Sequence, residues 1–109
     1  MAVDITKENF EDEVLKASTP LLLDFWLPRC VNCLALMPAV YTLEEKYGLQ
    51  LKVAKLDASQ NRRLCMSLQV MKLPTFLIFQ DGQEVERMIG EMTPAQLKKK
   101  VETFLGKDQ

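Results

Sequence analysis

The chain has 109 residues, with 14 basic and 15 acidic side chains and a net charge of −1. That balance excludes nucleic acid or an anionic membrane as an obligate partner, because nothing draws the chain to a polyanion. A content of 48% hydrophobic and 27% charged residues is that of a globular protein. The length fits one domain over residues 1–109, with about 65% of the unfolded surface buried on folding.

Val3-Asp4-Ile5 reads as a short first strand. Phe10, Val14 and Leu15 then keep helical spacing, with Asn9 or Thr6 as the cap, and Thr19-Pro20 ends that helix. Leu21 to Trp26 is an apolar run interrupted only by Asp24, as expected of a strand buried on both faces of a sheet. A helix follows to Tyr47, with Leu36, Met37, Val40, Leu43 and Tyr47 on one side, Pro38 inside it and Gly48 as its stop. Leu51, Val53 and Leu56 mark the next strand, so strand, helix and strand form a βαβ unit. Leu64, Cys65 and Leu68 share one face of a helix over Gln60 to Leu68, where Cys65 packs as a small apolar residue.

Thr75 to Phe79 is a strand, and Asp81-Gly82 is the strongest hairpin signal in the chain. It leads to an antiparallel strand over Glu84 to Ile89. The last helix opens on Thr93-Pro94-Ala95-Gln96, a capping box with proline at the first helical position. Leu97, Val101, Phe104 and Leu105 form its apolar stripe, and Lys98-Lys99-Lys100 its wet face. The fold class is α/β, a central mixed five-stranded sheet flanked by four helices.

The chemistry points to Cys30 and Cys33, a Cys-x-x-Cys where a strand gives way to a helix. At the helix N-terminus, unpaired N–H groups and the helix dipole favour an anion, and Arg29 adds a positive charge. Both lower the Cys30 pKa and favour the reactive thiolate. Cys33 lies one turn in, close enough to close a disulfide, so one sulfur attacks and the other resolves. A metal site is disfavoured by three cysteines and no histidine. It would need at most three thiolates plus a carboxylate or a second chain.

Asp24-Phe25-Trp26, Cys30-Val31-Asn32-Cys33, Pro38, Lys55-Leu56-Asp57, Leu73-Pro74-Thr75 and Gly90 stand in the order and spacing of a thioredoxin. The chain resembles that family over nearly its whole length. The resemblance implies a thiol–disulfide oxidoreductase with Cys30 as nucleophile and Cys33 as resolving thiol. Asp24 matches the buried acid that handles the proton of the resolving thiol, and Lys55 the lysine that pairs with it. A carboxyl in an apolar strand is expected to have a raised pKa. Pro74 matches the cis-proline facing the disulfide, and the Leu73 backbone beside it pairs with an extended substrate. Trp26, Arg29, Val31, Asn32, Thr75 and Gly90 complete the expected substrate-binding set, with Gly90 keeping the groove open. Met88 or Met92 is a further candidate contact. No metal or organic cofactor is expected; the partners are disulfide-containing client proteins and a reductase of thioredoxin-reductase type.

Several positions depart from the family pattern. Val31-Asn32 replaces Gly-Pro, Arg29 a tryptophan, Leu34 a basic residue, Lys72 a glycine, and Glu91 a small residue. These departures predict a weaker reductant with a dedicated reductase and a narrow client set. Two other classes compete with this reading: a binding or chaperone-like module with an incidental Cys pair, and a dimer sharing a metal or iron–sulfur centre. The start, Met1-Ala2-Val3-Asp4, has no signal-peptide pattern, and no apolar run reaches membrane-span length. A cytoplasmic monomer, not bound to membrane, is expected; in that compartment a Cys pair is more often catalytic than structural.

Overall fold

Successive side chains along each strand point to opposite faces of one sheet, and in the central strands both faces are buried. The computed structural model describes residues 2–107. Its strands are β1 (Val3–Asp4), β2 (Leu21–Trp26), β3 (Lys52–Asp57), β4 (Thr75–Gln80) and β5 (Gln83–Ile89). They lie in the order β1-β3-β2-β4-β5. β1, β3 and β2 run parallel; β4 is antiparallel to β2, and β5 to β4. The mixed five-stranded α/β sheet expected from the sequence is therefore present.

β2 is central because it is the most apolar strand: Leu21, Leu22, Leu23 and Phe25 are all fully buried. Helices α1 (Val31–Tyr47) and α3 (Pro94–Leu105) cover one face, packing on Leu22, Val53, Phe76, Ile78 and Met88. The other face, with Leu21, Leu23, Phe25, Leu56 and Leu77, is covered by α2 (Arg62–Ser67) and a helical turn over Glu11–Leu15.

The helix expected from the spacing of Phe10, Val14 and Leu15 is present, and its backbone widens to π-helical geometry, with the Lys16 N–H donating to the Glu11 carbonyl at 2.9 Å. The wider turn brings Phe10, Val14 and Leu15 onto the same core, where Phe10 meets the Phe79 ring edge-on at 6.0 Å. Asn9 and Thr6 act together upstream of it. The Thr6 N–H donates to Asn9 Oδ1, and the Glu8 N–H to Thr6 Oγ1.

Other boundaries follow local chemistry. Asp81 and Gly82, at φ +54° and +80°, form the tight turn between β4 and β5. The Thr93–Gln96 capping box starts α3 as expected. The topology brings the C-terminal ends of β2 and β3 beside the start of β4 and the end of β5. The Cys-x-x-Cys turn emerges at this rim.

Candidate active site

The turn Leu27-Pro28-Arg29 reverses the chain after β2, closed by the Cys30 N–H on the Leu27 carbonyl at 3.0 Å. Cys30 thereby becomes the N-cap of α1, and its Sγ accepts the Cys33 N–H at 3.1 Å. A cap position ordinarily holds a hydroxyl or carboxylate. A sulfur there meets an N–H dipole oriented to stabilise its thiolate. Cys30 and Cys33 are joined as a disulfide, with Cα atoms 5.2 Å apart. Cys30 is half-buried whereas Cys33 is 1% exposed, so an incoming group can reach only Cys30.

Asp24 lies in the middle of β2 on the sheet face that α1 covers, in register with Lys55 of β3 and Phe76 of β4. It is 1% exposed, and neither carboxylate oxygen has a hydrogen-bond partner. Desolvation pushes its pKa up to about 7, with the positive charge of Lys55 pulling the other way. Lys55 acts on Asp24 through space, not through an ion pair. Its ammonium donates to the Tyr41 hydroxyl at 3.2 Å and lies 3.9 Å from Asp4. It also sits 5.5 Å over the Trp26 ring. Tyr41 was not singled out in the sequence; its place off the buried stripe of α1 is the only signal that could have marked it.

Opposite the cysteines, the Leu73–Pro74 peptide bond is cis. The Pro74 carbonyl accepts the Gly90 N–H at 2.8 Å, joining this turn to the end of β5. No described backbone hydrogen bond engages Leu73. Gly90 adopts φ +89°, which favours glycine on backbone grounds. The space above it is not empty: the Lys72 Nζ lies 3.6 Å from where a Gly90 Cβ would sit. Thr75 is buried and its hydroxyl donates to the Lys72 carbonyl. Arg29, Val31 and Asn32 are exposed on the other bank. Asn32 Nδ2 donates to Glu91 Oε2 at 2.8 Å, linking the two.

Met88 is not a substrate contact. Strand alternation turns it into the core beneath α1 and α3, where it is 5% exposed, and Met92 packs against the same core. Cys65 is buried on the opposite face of the sheet, and burial pushes its thiol pKa up. Among the described residues no cluster of three His, Cys, Asp or Glu side chains forms a metal site. No helix there is long and apolar enough to cross a membrane. A cavity of about 900 Å³ opens around Tyr41, Leu49 and Val53 and includes neither cysteine.

The thioredoxin family model matches residues 1–103. The chain belongs to the thioredoxin family. It is 40% identical over 88 residues to a thioredoxin of Acetoanaerobium sticklandii, covering 81% of this chain and 84% of that one. Thioredoxin 1 of Nostoc sp. is 31% identical over 104 residues, covering 95% and 97% of the two chains. A bifunctional thioredoxin reductase/thioredoxin of Mycobacterium leprae is 34% identical over 97 residues, covering 89% of this chain and 21% of that protein. Membership and the Cys30–Cys33 pair make the chain a thiol–disulfide oxidoreductase that reduces protein disulfides.

Proposed function

We propose that the chain, a single domain acting as a cytoplasmic monomer, reduces a restricted set of protein clients through the Cys30/Cys33 dithiol, its only redox group. The observation that carries this reading is the Cys30 sulfur on the Cys33 N–H at the start of α1, with a buried, raised-pKa carboxyl in the strand that leads into that turn.

The Cys30 thiolate attacks one sulfur of the client disulfide. That bond breaks, the Cys30–client disulfide forms, and the other client sulfur leaves as a thiolate and takes up a proton. Asp24, as carboxylate, then accepts the Cys33 proton. Cys33 attacks Cys30 Sγ, closing the intramolecular disulfide and expelling the second client sulfur, which takes a proton in turn. Two electrons pass from this protein to the client. Lys55 biases the Asp24 proton equilibrium, while the free Leu73 backbone and Pro74, Thr75 and Gly90 align the client as an added strand. Trp26, Val31 and Asn32 form the remaining wall. A separate reductase of thioredoxin-reductase type returns the electrons, a partnership supported by the M. leprae relative that is named for both activities.

The positive charge of Arg29 beside Cys30 favours the thiolate, the intervening proline of the family pattern is absent from Val31-Asn32, and stabilising the thiolate stabilises the reduced form. The protein is accordingly a weaker reductant than an ordinary thioredoxin. Equilibration with glutathione beside such a thioredoxin checks this; an equal or lower potential would overturn it. Dithiothreitol-driven reduction of a protein disulfide should vanish in Cys30→Ser, and Cys33→Ser should accumulate a mixed disulfide. Undiminished turnover in Cys30→Ser would falsify the assignment.

A further inference from the structure

We propose that the groove beside Cys30 selects client segments carrying acidic side chains next to their disulfide, with Lys72 and Arg29 as the selecting charges. The inference deepens the reductase reading and rests on it.

Three charged residues flank the cysteine, the cis-proline turn and the groove glycine in sequence. Arg29 precedes Cys30, Lys72 precedes Leu73-Pro74, and Glu91 follows Gly90. They are not equally available. Glu91 is engaged by the Asn32 amide at 2.8 Å, a neutral donor from the loop that carries the cysteines. The Arg29 and Lys72 side chains form no ion pair among the described residues, so Lys72 does not neutralise its neighbour Glu91. Two unpaired cations against one hydrogen-bonded carboxylate leave the positions flanking Cys30, Leu73-Pro74 and Gly90 net positive, on a chain whose overall charge is −1.

Lys72 is also placed to act. Its Nζ and Cε lie 3.6 and 3.7 Å from the position of a Gly90 Cβ, so the ammonium rests on the groove glycine. A client strand running along the Leu73 backbone must pass it. Around these charges the rim is apolar: Val31, Met71 and Ile89 are 77%, 85% and 57% exposed. Apolar contacts of that kind tolerate many sequences, so discrimination falls to the charges. An acidic client side chain meets Lys72 and Arg29. A basic one meets the repulsion of both, against the single attractive charge of Glu91.

The test uses three synthetic peptides with one intramolecular disulfide, identical except for Glu, Gln or Lys beside the cysteines. Each rate constant for reduction by the reduced protein is divided by that for dithiothreitol, which removes the effect of the flanking charge on the disulfide itself. At low salt the Glu peptide should be reduced about fivefold faster than the Lys peptide, and the ratio should approach one at high salt. Lys72→Ala should shrink the ratio and Lys72→Glu should invert it, with Lys72→Gln replacing Lys72→Ala if that variant folds poorly. Equal normalised rates, or a preference unmoved by substitution at Lys72, overturn the inference. Cys30-independent reduction of all three peptides would instead overturn the function beneath it.

Discussion

Asp24 sits fully buried in the central strand with no hydrogen bond to its carboxylate. Its pKa rises from an ordinary 3.8 to about 7, a change worth roughly 4 kcal/mol. Between those values the folded chain holds a proton that the unfolded chain has released. The unfolded state then binds fewer protons, so stability falls as pH rises through this window. The associated stability is fully present below the unfolded pKa and lost above about pH 7. Asp24→Ala should therefore be more stable than the parent at about pH 8 and no more stable at about pH 4. Urea unfolding at both values checks this, and an equal effect at each would count against a desolvated acid. Arg29 works in the opposite environment. It is exposed, so its charge is worth under about 1 kcal/mol. Arg29→Ala should make the dithiol more reducing by on the order of 10 mV, read in glutathione buffers.

Among the elements, the β4–β5 hairpin and the start of α3 were legible from sequence because each is determined within four residues. Asp-Gly supplies two positive φ values, and Thr93 with Gln96 satisfies the exposed N–H groups of α3. Gly82 carries a second constraint: at φ +80° its Cβ would lie 3.1 Å from the Leu15 carbonyl oxygen. Gly82→Ala should cost about 1–2 kcal/mol, seen as a lower urea midpoint with an unchanged slope. The helical spacing around the Glu11–Leu15 turn was legible, but its π widening was not, because that widening serves contacts with β4, such as Phe10 on Phe79. No local signal encodes that distance. Lys46 and Tyr47 of α1 likewise both hold Glu102 of α3, a link between elements far apart in sequence.

At the scale of the molecule, both cores share one sheet. β2 supplies Leu22 to one core and Leu21, Leu23 and Phe25 to the other, so neither can unfold alone. Trp26 fluorescence and helical circular dichroism should report one coincident transition in urea; separated midpoints would mean that the two faces come apart independently. The Cα radius of gyration is 12.7 Å, against about 13 Å for a compact domain of this length.

The opening Cys-x-x-Cys, its place between strand and helix, the buried acid and the family were all readable in the chain by itself. Strand period, helix period and caps are short-range properties, and the cysteines lie within one turn of each other. Tertiary structure alone decided which side chains meet across the groove. Asn32 and Glu91 are 59 positions apart, and Lys72 reaches Gly90 from another turn. The Lys55 ammonium turns to Tyr41 and Asp4 instead of its register neighbour Asp24. Periodicity specifies which way a residue faces, whereas its partners depend on strand order and on the packing of helices distant in sequence. The character of the site as a redox centre is therefore local, and its charge pattern toward clients is a product of the fold.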